Sequence, residues 1–209
     1  YKPSSMVVSI AGKLPSFDLS DCLRKRFAPA RGGAKKTFPR AVIDQKKPAD
    51  ILFFKNTEQT HLAIGFHGYS RFSGDKYKLD LLHIILGANM SSRLFQEVRE
   101  KQGLAYEISS SVKHYDDTGA LVISAGIDNK KLSRAVEVIV SELSKLKSKN
   151  AGKAELLRAK EFYKGQLLMY FEETMNHMIW LGEKFIRDDK EFQVKDVLAR
   201  VDGLTVEDI

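Results

Sequence analysis

Apolar and polar positions alternate or step in ways that divide the chain into short runs first and long helical stripes later. An unbroken apolar run at residues 6–10 (MVVSI) predicts a buried strand. Leu19, Cys22, Leu23 and Phe27 then recur at helical spacing behind Asp18, a suitable cap. That face places Cys22 in apolar packing. One strand and one helix cannot bury a core alone, so residues 1–28 read as the tail of a preceding, mostly absent domain. Residues 29–48 carry three prolines, Gly32-Gly33 and two Lys-Lys pairs, the composition of a linker, which is placed at 29–49.

A second domain is expected over residues 50–209. Apolar runs at 51–55 and 60–69, joined by Asn56-Thr57-Glu58-Gln59, signal a hairpin. Leu79, Leu82, His83 and Leu86 mark a helix over 77–86, and Leu94, Phe95 and Val98 mark another over 92–102. Ser91 or Ser92 suits the N-cap of the latter. Gly103 supplies its left-handed stop, with Leu104 beyond for the closing apolar contact. Strands at 105–115 and 120–127 follow, joined at Asp116-Asp117-Thr118-Gly119. Beyond them Leu132, Val136, Ile139, Leu143 and Leu146 form an amphipathic stripe, broken at Asn150-Ala151-Gly152. Leu156, Ala159, Tyr163, Leu167 and Tyr170 form the next stripe, followed by Met175, Met178, Ile179, Phe185 and Ile186. A short last helix carries Val194, Val197, Leu198 and Val201 and ends at Gly203. Thr205 to Asp208 resembles a capping box opening a further helix, so the chain reads as a fragment at this end, as it does at Tyr1. The expected architecture is α+β: an antiparallel sheet of at least four strands with helices packed on one face.

Composition narrows the functional classes. No apolar run approaches the ~18 residues of a membrane span. The net charge is +7 and the pI about 9.3, but the lysines are dispersed and no aromatic-interleaved basic strip appears. A solvated basic surface therefore outweighs a nucleic-acid module, which would rest on the pI alone. Cys22 is the single cysteine, so no internal disulfide forms. That favours a reducing compartment, read as the bacterial cytoplasm, with the mitochondrial matrix or periplasm as alternatives.

Catalytic motifs are sparse. The histidines are His61, His67, His83, His114 and His177, and no two of them stand four apart as H-E-x-x-H or H-x-x-E-H requires. His61 and His67 share strand parity, but six residues of strand separate them by about 20 Å. Glu173 and His177 are i,i+4 and supply only two ligands. The serines at 91–92 and 109–111 lack a nucleophile elbow. Arg99, in a last helical turn, and Tyr106, just past the stop, remain. Each also has an ordinary structural reading. Arg99 complements a helix dipole. Tyr106 shares parity with Ile108, Ser110 and Val112, as a half-buried core tyrosine would.

At these residues the sequence resembles a known family. LGANMSSRLFQEVREKQGLAYEISSS (residues 86–111) is similar to the C-terminal-half signature of the pitrilysin/insulinase zinc metallopeptidases, particularly the mitochondrial-processing-peptidase-like branch. MVVSIAGKL (6–14) resembles the strand closing the family's first domain, and TEQTHLAIGFHGYSR (57–71) the opening hairpin of its second. One departure is Gly87-Ala88-Asn89, where relatives are often glycine-richer. The resemblance implies that zinc is held by the preceding domain or a partner subunit, and that none is bound by this fragment. It implies a chamber that encloses a peptide or unfolded protein, and homo- or heterodimeric assembly. It also implies that Arg99 and Tyr106, at the spacing Arg99-x6-Tyr106, bind the substrate backbone and stabilise the oxyanion. The alternative it leaves is a non-catalytic partner subunit or structural half.

Overall fold

The computed structural model describes residues 6–14, 18–27, 38–186 and 193–209. Pro29, Gly32-Gly33 and Lys35-Lys36 of the expected linker lie outside them. The chain divides into two compact units, residues 1–39 with 164–198, and residues 40–163 with 199–209.

The second unit is built on an antiparallel sheet. Strand β1 (Gln59–Gly68), β2 (Ala105–His114) and β3 (Gly119–Asp128) lie in the order β1-β3-β2. β3 is central because β2 turns back onto it through residues 115–118, and β1 pairs along its other side from Gln59↔Asp128 to Gly68↔Gly119. The sheet has three strands rather than the four or more expected. Residues 51–55 form no strand, and Ile51, Leu52, Phe53 and Phe54 are 86–92% exposed. An unbroken apolar run carries no alternation to say which face or neighbour it takes. Here β1 pairs over its whole length with β3 and not with that run.

One sheet face is covered. α2 (Lys76–Gly87), the π-helix Phe95–Lys101 and α3 (Leu132–Ser148) bring Leu79, Leu86, Leu94, Val98, Ala135, Val138 and Ile139 into a core with Ile108, Leu121, Ile123, Ala125 and Ile127. The strand residues of that list alternate, as period-2 geometry requires. Gly87 is needed at the end of α2: a Cβ there would lie 2.7 Å from Ser110 Oγ and 2.9 Å from the Ser110 amide. The first part of α4 (Lys153–Glu172) and the end of α6 (Val194–Asp202) add buried Leu156, Ala159 and Val201. Lys160 closes α6 by donating to the carbonyls of Asp202 and Leu204 at 2.7 and 2.6 Å. The chain then enters a single 3-10 turn, Val206–Asp208, where the Thr205 amide donates to Asp208 Oδ2 at 2.9 Å.

The other unit holds α1 (Leu19–Phe27), the second part of α4 and α5 (Thr174–Ile186). Residues 6–10 form no strand, and Met6, Val7, Val8 and Ile10 are exposed; Ser9 instead donates from Oγ to the Met178 carbonyl at 2.7 Å. Cys22 is exposed, against its expected burial, because no residue of α1 is buried. Phe171 and Trp180 meet edge to face at 5.0 Å.

Candidate substrate-contacting site

The signature residues 86–111 form one continuous device. Leu94 and Val98 are fully buried and fix the rotation of the π-helix. Its end is an αL closure, a C′ amide bonding four residues back. The Leu104 amide donates to the Val98 carbonyl at 2.9 Å, and the Gly103 amide to the Arg99 carbonyl at 3.0 Å. Gly103 takes φ +55°, where any Cβ is strained. Leu104 is buried beyond it, as the apolar closing contact requires. The backbones of Arg99 and of the residues leading into β2 are thereby tied through one turn.

β2 begins with a bulge. Ala105 pairs with Ile127 and Glu107 with Gly126, so Tyr106 is the extra residue. Ala105 and Ile108 point into the core, and both residues between them point out. A bulge re-aims a side chain in this way. Tyr106 is 79% exposed and not the half-buried core residue that parity with Ile108 suggests. Its hydroxyl has no hydrogen-bond partner among the described residues. Arg99 is exposed over somewhat less than half of its side chain; its guanidinium lies 4.9 Å from the Phe95 ring centroid, and its Nε 4.0 Å from Glu100 Oε1. Stacking on Phe95 orients the cation without neutralising it.

The sheet face opposite the helices is small and polar. Its rows read His61–Gly126–Glu107, Ala63–Ser124–Ser109, Gly65–Val122–Ser111 and His67–Ala120–Lys113. The serines at 109 and 111 are exposed on this face, while Ser110 turns inward beside His83, whose Nδ1 lies 2.7 Å from Ser110 Oγ. Burial pushes the His83 imidazole below its ordinary pKa. Before the π-helix, Asn89 Oδ1 accepts from the Ser91 amide and hydroxyl at 2.9 and 2.7 Å. Ser92 donates from Oγ to the Asn89 carbonyl at 2.6 Å. Asn89, and neither serine, therefore organises this turn.

Arg93 was not singled out by sequence, and it sets the position of the device from outside. Its Nε and Nη2 donate to Glu155 Oε1 and Oε2 at 2.8 and 2.7 Å. Glu155 Oε2 also accepts from the Gly152 amide at 2.9 Å. The Arg93 hydrogen bonds, despite partial burial, hold the Glu155 carboxyl at about 2. No local spacing signals this pair, which joins residues 62 apart.

The histidines do not fit a zinc site. His61 and His67 stand on the open face three rows apart. Glu173 Oε2 accepts from Asn176 Nδ2 at 3.1 Å, and His177 packs edge to face on Phe171 at 5.5 Å. Among the described residues no group of three or more His, Cys, Asp or Glu can hold a metal ion. No described helix is long and apolar enough to cross a membrane.

The fold and this signature define a peptidase-type domain. The chain belongs to the family described as the Peptidase M16 inactive domain, whose model matches residues 1–163. It is 32% identical to the uncharacterized zinc protease YmxG of Bacillus subtilis over 99% of this chain and 50% of that protein. It is 30% identical to an uncharacterized zinc protease of Mycobacterium leprae over 100% of this chain and 48% of that protein. The chain thus spans about half the length of these relatives. A protease from Helicobacter pylori shares the fold with a TM-score of 0.76 at 22% identity, covering 95% of this chain and 49% of that one. The peptidase M16 inactive domain from Pseudomonas fluorescens does so with a TM-score of 0.66 at 23% identity, covering 73% and 36%.

Proposed function

We propose that this chain is the substrate-contacting half of a zinc-dependent endopeptidase, facing a zinc-carrying domain across an enclosed chamber. In this reading residues 1–28 are the tail of that preceding domain and 29–49 the linker from it. The zinc belongs to the preceding domain or to a partner subunit, since the described residues here do not fit it. Arg99 and Tyr106 bind the substrate backbone and donate to the oxyanion that develops as the peptide carbonyl becomes tetrahedral.

The observation that carries the reading is the bulge. A strand that kept its alternation would turn Tyr106 toward the core; the extra residue turns it outward, unpartnered, two positions beyond the closure that holds the Arg99 carbonyl. A phenol and a guanidinium whose backbones are held through one turn are donors suited to a site where charge develops. The small residues along the open face leave room for an extended chain.

The test is Tyr106→Phe in the full-length protein. The phenol is used mainly in the transition state, so kcat falls by more than KM changes. Turnover equal to wild type, in a folded variant, removes Tyr106 from the site. The full-length sequence also separates this reading from a non-catalytic partner subunit, because an upstream H-x-x-E-H is required by the former alone.

A further inference from the structure

At the far end of β2 from Tyr106, one histidine joins three elements. His114 closes β2 opposite Gly119. Its Nδ1 lies 2.6 Å from the Tyr69 carbonyl oxygen, and its Nε2 3.0 Å from Asp80 Oδ1. Tyr69 opens the loop after β1, and Asp80 stands on α2. A carbonyl and an ionised carboxylate only accept hydrogen bonds, and a neutral imidazole has a single N–H to give. Only the imidazolium satisfies both partners at these distances.

We infer that His114 is a pH-operated clasp: protonated, it holds the β1–α2 loop and α2 against the end of the sheet, and deprotonation releases one of the two. The loop sits tightly enough for that release to matter. A Cβ at Gly119 would lie 2.3 Å from the Tyr69 carbonyl oxygen, so the loop rests directly on β3 backbone. The Arg71 amide donates to the Tyr115 carbonyl at 2.9 Å. Without the clasp these backbone contacts hold the loop with one fewer cross-link to β2 or α2.

The surrounding charges favour the protonated form. Asp80 and Lys76 face the ring from α2, with opposite effects. Lys76 donates to the Arg71 carbonyl at 2.6 Å, and the Arg71 guanidinium is matched by Asp116 at 2.7 Å. Tyr77 on α2 is pushed up to about 12, and Tyr163 on α4 is raised well above the ordinary phenol range, both chiefly by burial, so neither adds charge near neutrality. The hydrogen bond to Asp80 outweighs burial and Lys76, and the His114 pKa rises above its ordinary 6.5. The sign follows. A raised folded-state pKa contributes stability that is complete below the unfolded value and is lost as pH rises through the folded value. His83, lowered by burial, titrates on the other side of 6.5 and serves as an internal reference.

The experiment is an NMR titration of the imidazole signals of this chain, paired with urea unfolding at a series of pH values. His114 is expected to titrate above 6.5, with N–H on both ring nitrogens below that point. The stability margin of wild type over His114→Gln should shrink as pH rises through the measured pKa. Asp80→Asn should bring the His114 pKa down and flatten the margin. A His114 that titrates at or below 6.5, or a margin independent of pH, overturns the clasp. If His114→Gln does not fold, the Asp80→Asn titration decides: an unshifted His114 pKa overturns it equally.

Discussion

Arg93 and Glu155 meet through two parallel hydrogen bonds, at 2.8 and 2.7 Å, and so couple the start of the signature helix to the first turn of α4. Guanidinium and carboxylate match plane to plane, which a lysine cannot reproduce. Glu142, buried beside its own partner Lys145, adds a second carboxylate acting on Arg93. Arg93→Lys and Glu155→Gln should each lower stability by about 1–2 kcal/mol, discounted from the fully buried case because Glu155 keeps 27% of its side-chain exposure. A shift in the urea midpoint without a change in slope is the expected readout.

The same pair has an acid limb. Glu155 is depressed from 4.5 to about 2, so its contribution is present above the unfolded value and disappears as pH falls through about 2. The stability gap between wild type and Glu155→Gln should therefore be constant near neutrality and close progressively below pH 4.5. Unfolding curves at stepped acid pH measure it. A gap that persists unchanged to the bottom of that window would mean the carboxylate charge contributes nothing.

Two glycines should respond differently to alanine. Gly103 has open space around a Cβ but a φ of +55°, so Gly103→Ala costs about 1 kcal/mol of backbone strain and Gly103→Asn less. Gly87→Ala meets both the Ser110 hydroxyl and the Ser110 backbone, so it costs more, about 1–3 kcal/mol, and forces α2 away from β2. Removing the Ser110 hydroxyl in a Gly87→Ala/Ser110→Ala double variant should recover only part of the loss, because the amide contact at 2.9 Å remains. Thermal unfolding of the four variants tests the order.

Tyr106→Phe should leave stability within about 0.5 kcal/mol of wild type, since the side chain is mostly exposed and its hydroxyl unpartnered. Leu94→Ala, in the same signature but fully buried, should cost about 2–5 kcal/mol. The contrast separates what the segment buries for folding from what it leaves at the surface.

The run at residues 51–54 should make the isolated chain prone to association, because four consecutive large apolar side chains are exposed together. Phe53→Lys with Phe54→Ser should reduce concentration-dependent light scattering while leaving the unfolding midpoint in place. A scattering profile equal to wild type would show that the run is not the cause.

Local features were legible in the sequence. The stripe from Leu132 to Leu146, the stop at Gly103 and the turn before Gly119 each depend on residues within a few positions, and each stands where expected. The α+β class followed from them. What was not legible depends on partners distant in sequence or on a break in periodicity. The apolar run at 51–55 is strand-like by composition, but composition does not supply a neighbour. Cys22 is exposed although Leu19 and Leu23, on the same apolar stripe, are half-buried. The Arg93–Glu155 pair has no local signature at all. Tyr106 was singled out by resemblance, but its outward direction was not legible: alternation assigns it inward, and a one-residue slip in pairing reverses that.

That extra residue also uncouples two kinds of change. Downstream of Glu107 each residue of β2 has its own β3 partner, and Tyr106 takes no part in that register. A lineage can therefore exchange, lose or regain the phenol without disturbing a packed methyl group. What the surface presents at position 106 can vary while the interior of the domain stays the same.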